Sequence, residues 1–259
     1  MPTHRFVPAP FDTVRQRLEK QYEIADYTDG WSREQLLDAF KEHCIEFPEE
    51  AKLMTKAWFF NLICSKAPIA PEVDDYFVGK VAHYDLLLEL RNRWRLEAAR
   101  DEFGDRLGVI DGSYRAMLDC CSHICPDWQS IFSLGIDGIY QRSLSGKSVY
   151  HQAVATVFDG VKTLLKRFDA VHPTAGLAEL ASRKAQSFQE ALQLSYLFNE
   201  LIEFDGIQVR SMGRFDKLFS PYYERDIANG TLTRSQAAEL LKYYWIKFFA
   251  KTRGLVTAS

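Results

Sequence analysis

The residues with the most obvious chemistry form a short cysteine and histidine stretch, CCSHIC, near the middle of the chain. Cys121, His123 and Cys125 alternate as metal or iron–sulfur ligands could, but their spacing fits neither a zinc knuckle nor a ferredoxin motif. The sequence has no second ligand pair, so we predict no metal site and interpret these residues as buried free cysteines. His123 stands before Pro126-Asp127, at a loop-to-helix start where side chains can point into a cavity, although a lone histidine is more often a structural group.

A second candidate group lies in the sequence VRSMG, where Arg210 and Ser211 come at the end of a predicted strand. Strand ends often carry groups that bind ligands. Arg210 could contact a carboxylate or sulfonate through two parallel hydrogen bonds, and Ser211 could meet the same ligand through its hydroxyl group. Both residues also have a structural interpretation. Arg210 could point outward or pair with Glu203 or Asp205, and the Ser211 hydroxyl could satisfy the local turn before Gly213.

The elements that must position these residues are mainly helices, and capping motifs mark where several of them begin. Alternating apolar and polar residues predict a strand from Ile207 to Met212. Asp216 is expected to cap the next helix, with Arg214 as a buried or semi-buried ion-pair partner. The predicted capping boxes pair Ser32 with Gln35, Ser187 with Glu190, and Thr233 with Gln236.

The rest of the chain is predicted to be helical with short loops. The segment from Ala67 to Val81 contains two prolines, two adjacent aspartates and a glycine, which predict an extended loop with a short strand at Tyr76 to Val78. The other predicted helices run from Phe11 to Tyr22, Ser32 to about Cys44, Pro48 to the residue before Ala67, His83 to Phe103, Ser113 to Ser122, and 147 to 168.

The composition narrows the class of protein. The 259 residues are 47% apolar, which is ample for a globular core, and we treat the chain as one helical unit. With 32 basic and 35 acidic residues, nothing points to nucleic acid or an anionic membrane as a partner. The start of the sequence lacks the apolar core of a signal peptide, and the longest apolar runs are too short to span a bilayer. We therefore expect a cytoplasmic protein whose five cysteines are reduced.

Several motifs, in order and at matching spacing, resemble the glycyl radical enzyme family, the relatives of pyruvate formate-lyase and the diol dehydratases. An acidic pair in the 67–81 loop adds to the resemblance. So does His123-x-x-Pro126-Asp127-Trp128, in which Ser122 replaces the family's glycine. The motifs that carry it most specifically are Phe188-x-Glu-Ala-Leu-Gln, Ser211-x-Gly-Arg-Phe-Asp216, Pro221-Tyr-Tyr-x-x-Asp226, Leu-Thr233-x-x-x-Ala and Trp245-Ile-Lys247.

The resemblance implies a mainly α fold. It would comprise the helical amino-terminal layer plus the first strand or strands of the family's α/β barrel, with residues 1–259 as a truncated, partial pyruvate formate-lyase-like domain. His123 matches the histidine that faces the substrate in diol and hydroxyproline dehydratases, where it can hydrogen-bond a hydroxyl or take a proton. Ser211 matches a serine of the substrate pocket in glycerol-dehydratase-like relatives. To His123 and Ser211 we add Arg210 as a candidate contact for an anionic group of the substrate.

The family's two radical-bearing motifs do not occur in this sequence. No cysteine lies in a Gly-Cys-x-Glu context, and no Arg-Val-x-Gly is present. We therefore expect no catalytic residue in this chain and no cofactor bound by it. The chain alone is expected to be inactive.

The resemblance thus implies the amino-terminal part of an anaerobic glycyl radical lyase or dehydratase acting on a small substrate through a thiyl radical. The partners would be the missing carboxy-terminal half, a second copy in a homodimer, and a radical S-adenosylmethionine activase that installs the glycyl radical. The alternative is a non-catalytic helical interaction protein that kept the scaffold.

A physical corollary concerns apolar surface. The helices at 188–204 and 231–250, and a strand with both edges unpaired, would be covered by the missing barrel. We therefore expect the isolated chain to aggregate or to assemble with a second chain.

Overall fold

The fold is mainly helical, as expected. A computed structural model describes residues 6–21, 26–103, 123–172, 176–205 and 209–257. Within these ranges the only extended elements are two short strands, and none of the helices is long and apolar enough to cross a membrane. The elements are α1 (Phe11–Gln21), α2 (Arg33–Glu46), α3 (Lys52–Lys66), α4 (Asp85–Phe103), β1 (His123–Ile124), α5 (Trp128–Leu144), α6 (Val149–Val171), α7 (Leu177–Leu180), α8 (Phe188–Glu203), β2 (Val209–Arg210), α9 (Phe215–Ala228) and α10 (Arg234–Thr257). The predicted helix from Ser113 to Ser122 lies outside the described residues.

Helices α3 and α6 make the most extensive helix–helix contact in the described part of the chain. Gly160 of α6 lies against Asn61 of α3, so close that a Cβ atom at Gly160 would be 2.8 Å from the Asn61 Cα atom. The Asn61 side-chain amide donates a hydrogen bond of 2.8 Å to the carbonyl oxygen of Thr156. The pair therefore depends on one residue without a side chain and one amide that crosses the interface.

Helix α8 is the central helix of the molecule. Its residues from Ala191 to Leu201 are all buried, polar side chains included. The expectation that its apolar face needs a missing partner was wrong, because these residues are buried within this chain, where α8 packs against α9 and α10 and its Phe198 contacts Phe158 of α6. Helix α10 differs, since Trp245 and Phe249 on its outer side are 43% and 48% exposed.

Two of the three predicted capping boxes are confirmed. Ser32 with Gln35 exchanges both hydrogen bonds at the start of α2. Thr233 and Gln236 do so before α10, with N···O distances of 2.9 and 3.2 Å. At α8 only half of the box forms. The Ser187 hydroxyl accepts from the Glu190 N–H. The Glu190 carboxylate instead accepts from the N–H of Gln186, at 2.7 Å.

The short strand predicted at Tyr76 to Val78 was wrong. Val78 belongs to no strand, and its backbone bonds a side chain instead: its N–H donates to Gln193 Oε1 at 3.0 Å, and Gln193 Nε2 donates to its carbonyl oxygen at 2.8 Å. The amide group of a buried glutamine thus replaces a neighbouring strand. The backbone bridge found in this loop lies instead between Ile69 and Val81.

Two predicted helix starts were also wrong. Helix α3 begins at Lys52 rather than Pro48, because residues 48–50 form a turn and the Glu50 carboxylate accepts hydrogen bonds from His43 Nε2 and Thr55 Oγ1. At α9 the N-cap residue is Arg214, and Asp216 lies inside the first turn.

The ion pair predicted at the start of α9 exists, but it is not buried. Arg214 and Asp216 pair at 2.8 Å on the surface, with side chains 67% and 68% exposed. The hydrogen bonds from Arg214 hold the pKa of Asp216 below its ordinary value. Both side chains therefore act at the surface, in contrast to the semi-buried pair and the cap that the sequence suggested.

The cysteines are free where the structure describes them, but they are not all buried. Cys64 is fully buried, Cys44 is half-buried, and Cys125 is exposed. The prediction of a buried Cys125 was wrong, because this residue lies on the surface in the segment between β1 and α5. Cys120 and Cys121 lie outside the described residues.

Candidate functional site

The two stretches with candidate substrate-binding residues meet in a parallel pair of strands. In β1 and β2, His123 pairs with Val209 and Ile124 pairs with Arg210. The Ser211 N–H extends the ladder by donating to the Ile124 carbonyl oxygen at 2.8 Å. The prediction that both edges of the strand are unpaired was therefore wrong, because one edge of β2 is taken by β1.

Trp128 fixes the chain just beyond these strands. Its indole N–H donates to the Ser211 carbonyl oxygen at 2.9 Å, and its ring is buried. Asp127 caps α5 by accepting from the Ser130 hydroxyl and N–H, hydrogen bonds that also lower the pKa of Asp127. The capped start of α5 therefore places the indole N–H of Trp128 at the end of β2.

Ser211 lies in a tight turn at the surface. Its hydroxyl oxygen accepts from the Gly213 N–H at 3.0 Å, so the local-turn role left open by the sequence is observed. Gly213 has a φ of +61°, and a Cβ atom there would be 3.2 Å from the Trp128 Cδ1 atom. Both facts favour glycine at this position. A hydroxyl that accepts one hydrogen bond can still donate its hydrogen, and Ser211 is exposed, so it can reach a ligand.

Arg210 is held inside the protein. Its side chain is 5% exposed; Nε donates to Asn199 Oδ1 at 2.8 Å, and a terminal nitrogen lies 3.7 Å from Glu203 Oε2. The pairing with Glu203 that the sequence left as an alternative is therefore observed. Asp205, the other suggested partner, pairs with Lys56 at 2.5 Å. These contacts anchor β2 to α8.

His123 has a described backbone in β1, but its side chain lies outside the described part of the structure. Its role as a substrate contact stays a prediction. The pairing of His123 with Val209 brings its Cα atom close to the chain that leads to Ser211.

An apolar cavity of about 300 Å³ lies beside β1, between the ends of α3, α6 and α8. Ile124, Phe60, Phe158 and Phe204 line it, and Lys56 stands at its edge. Such walls suit an apolar group rather than a charged one. In the described residues no group of three His, Cys, Asp or Glu side chains is arranged to hold a metal ion.

A second polar centre, which the sequence did not predict, lies where α10 meets the 67–81 loop. Lys247 of α10 has no exposed side-chain surface, and its ammonium nitrogen lies 2.9 Å from both Glu72 Oε1 and Asp75 Oδ2. Arg17 of α1 approaches the same two carboxylates at 3.6 and 3.7 Å. The acidic pair of the 67–81 loop and the Trp245-Ile-Lys247 motif were visible as separate motifs, but nothing in the sequence indicated that they meet.

Comparisons with known proteins agree with the resemblance seen in the sequence motifs. A family model described as pyruvate formate lyase-like matches residues 176–255. The 4-hydroxyphenylacetate decarboxylase glycyl radical subunit of Clostridioides difficile is 26% identical over 157 residues, covering 53% of this chain and 16% of that protein. The isethionate sulfite-lyase of Oleidesulfovibrio alaskensis is 38% identical over 216 residues, covering 69% of this chain and 26% of the relative.

Solved structures give the same result for the fold. The glycerol-bound B12-independent glycerol dehydratase of Clostridium butyricum superposes with a TM-score of 0.59 at 17% identity, over 95% of this chain and 40% of that one. The hydroxyproline dehydratase of Clostridioides difficile gives 0.54 at 14% identity. The chain therefore spans well under half of the length of these relatives.

The fold and the paired motifs place the chain in one class of scaffold, that of the glycyl radical enzymes. More particularly, the chain corresponds to the amino-terminal portion of such enzymes, which confirms the resemblance noted in the sequence. The relatives that it matches are decarboxylases, dehydratases and lyases.

Proposed function

We propose that this chain is the amino-terminal part of an anaerobic, cytoplasmic glycyl radical lyase or dehydratase that acts on a small substrate. Residues 1–259 form one partial pyruvate formate-lyase-like domain. The catalytic cysteine and the radical glycine are supplied from outside these residues, and so is the activase that installs the radical with S-adenosylmethionine and an iron–sulfur cluster. The intact enzyme is a homodimer.

The observation that carries this proposal is the pairing of β1 with β2. It brings together the two motifs that resemble substrate-binding segments, although 83 residues separate Trp128 from Ser211. In the proposal His123 and Ser211 position the substrate from neighbouring strand ends. The exposed Ser211 hydroxyl supports its part, because its hydrogen can be donated to a substrate oxygen.

Arg210 as an anion contact is a separate part of the proposal. The names of the relatives include 4-hydroxyphenylacetate and isethionate, which carry a carboxylate and a sulfonate. A substrate of this kind would have to compete with Glu203 for the buried guanidinium group. The contacts to Asn199 and Glu203 support an anchoring role equally well.

The experiment combines the chain with a candidate carboxy-terminal complement and an activase in the absence of oxygen. The expected result is a glycyl radical doublet in electron paramagnetic resonance that requires the complement, together with turnover of substrate. In that reconstituted enzyme, His123→Ala and Ser211→Ala should lower turnover by about 10²-fold or more without lowering the radical signal. Surface variant Ser182→Ala is the matched control for serine. Unchanged kinetics in both site variants would remove these residues from the substrate site.

A second candidate function is a helical interaction protein without catalysis. The exposed pair Trp245 and Phe249 on α10 favours it, because large exposed aromatic side chains commonly mark contact surfaces. The same experiment separates the two functions. An assembly that forms with a partner but never yields a radical would support the interaction protein and contradict the enzyme.

A further inference from the structure

A set of buried charges lies where α10 and α8 meet the loop between α3 and α4. We call it the buried charge cluster: Glu72, Asp75, Lys80, Glu200 and Lys247, each less than a tenth exposed. Lys247 lies between the two loop carboxyl groups, 2.9 Å from each. Lys80 is attracted to Glu72 and to Glu200, while burial lowers its own pKa.

The cluster contains three carboxyl groups and two ammonium groups. If all five were ionised, one negative charge would have no counterpart, and an uncompensated charge in a protein interior is strongly unfavourable. A buried set of this composition therefore favours taking up one proton.

Within the part of the chain that the structure describes, no neighbouring group adds a net positive charge to the cluster. Arg17 pairs with Asp74 at 2.8 Å, and both side chains are about a quarter exposed, so this pair is neutral by itself. Arg17 comes no closer than 3.6 Å to Glu72 and 3.7 Å to Asp75. His172 Nε2 hydrogen-bonds the Asp75 carbonyl oxygen at 2.9 Å, and burial lowers the pKa of His172, which keeps its ring neutral.

Two tyrosines complete the surroundings, and neither carries charge near neutral pH. Burial, with Glu72 and Glu200, raises the pKa of Tyr27 to about 12. The ring of Tyr196 lies 5.2 Å from the Lys247 ammonium nitrogen, a cation–π contact that stabilises the lysine in its charged form.

Asp75 is the carboxyl group with the weakest compensation. It is 0% exposed; Oδ1 accepts from the Phe77 N–H at 3.1 Å, and Oδ2 faces Lys247. Burial raises the pKa of Asp75, against the pull of Lys247, and the charge of Glu72 raises it further. For Glu72, burial is outweighed by Lys247, Lys80 and Arg17, which together lower its pKa.

We propose that the buried charge cluster holds one proton on the Asp75 carboxyl group at pH values where exposed aspartates are ionised, and that losing this proton to water loosens α10. When the Asp75 carboxyl group is neutral, the charge of Lys247 balances that of Glu72, and the charge of Lys80 balances that of Glu200. When Asp75 is ionised, one further negative charge lies next to α10. The inference does not depend on the proposed enzymatic function.

The sign of the pH effect follows from the raised pKa of Asp75. The folded state binds this proton more tightly than the unfolded chain, in which the pKa is about 3.9. The stabilisation is fully present below that value and is lost as the pH rises through the folded pKa. Glu72 acts with the opposite sign, since its contribution is lost as the pH falls through its lowered pKa. Helix α10 is therefore held most strongly at pH values between the lowered pKa of Glu72 and the raised pKa of Asp75.

The test is carbon-13 magnetic resonance of the 259-residue chain with labelled aspartate carboxyl carbons. In a pH titration, one signal should keep the chemical shift of the acid at pH values where the exposed aspartates have already become carboxylates. Asp75→Asn should delete that signal. A titration in which every aspartate becomes a carboxylate over the same pH range overturns the proposal.

A second variant keeps the test valid if Asp75→Asn does not fold. Glu200→Gln removes one acidic group from the cluster without touching Lys247, so the retained proton should leave at a lower pH. Glu42→Gln, exposed on α2, is the control and should leave the titration unchanged. An acid signal that titrates identically in Glu200→Gln and Glu42→Gln refutes the charge count.

Hydrogen exchange tests the effect on α10. As the pH rises through the titration of Asp75, amide hydrogens of α10 should exchange faster relative to those of α6. The increase should be up to about tenfold for each pH unit by which folding raises the pKa of Asp75. Peptides from residues 234–249 and 149–171 report the two helices. Equal protection of both helices on either side of the titration contradicts a loosening of α10.

Discussion

Replacing Lys247 by methionine would remove one positive charge from a position without solvent access while keeping an unbranched side chain. Glu72 and Asp75, each 2.9 Å from the lost ammonium nitrogen, would keep the more distant Arg17 as compensation, and Glu72 would also keep Lys80. Breaking a buried ion pair from one side costs about 3–5 kcal/mol of the free energy of unfolding. In a chain of this size each kcal/mol lowers Tm by about 2–4 °C, so we expect a fall of roughly 6–20 °C.

The assay is thermal and urea unfolding at pH 7, followed by circular dichroism. Lys242→Met on the exposed side of the same helix is the matched control and should change the free energy of unfolding by less than about 0.5 kcal/mol. The double variant Lys247→Met with Glu72→Gln should recover part of the loss, because it also removes a carboxylate that has lost its nearest cation. If Lys247→Met and Lys242→Met agree to within about 1 kcal/mol, the charges at Lys247 do not hold α10.

Three further changes test individual contacts, each by urea unfolding. Trp128→Phe keeps an aromatic ring but deletes the hydrogen bond to Ser211, and should cost about 1 kcal/mol because a partly buried hydrogen bond is lost. Gly160→Ala should cost about 1–3 kcal/mol, since the new methyl group would overlap Asn61; no loss would mean that α3 and α6 lie farther apart. Ser187→Ala should cost about 1 kcal/mol through the lost cap of α8, and Ser187→Thr should restore most of it.

Features that depend on neighbouring residues could be predicted from the sequence. The capping boxes at Ser32 and Thr233 each involve residues three positions apart, so the amino-acid types alone were sufficient. The helical segments and the turn around Ser211 also follow from local patterns. At α9 the same reasoning failed, because Asp216 pairs with the exposed Arg214 instead of capping the helix.

Features that depend on distant partners could not be predicted. The backbone N–H of Val78 finds its acceptor in Gln193, which is 115 residues away, and a glutamine inside a helix gives no sign of such a role. Lys247 and Glu72 are 175 residues apart. A lysine on an aromatic helix looks like a surface residue until its partners are known. The candidate site lies between these cases, since its motifs were visible but their pairing in β1 and β2 was not.

The small size of that strand pair has a consequence for the order of folding. Each strand has two residues, and the hydrogen bond from Trp128 to Ser211 closes a loop of more than 80 residues. Closing so long a loop costs entropy that two residue pairs and one indole hydrogen bond do not repay by themselves. We therefore expect the strand pair to form only after α5 to α8 have packed and brought its ends together, and to open before those helices do.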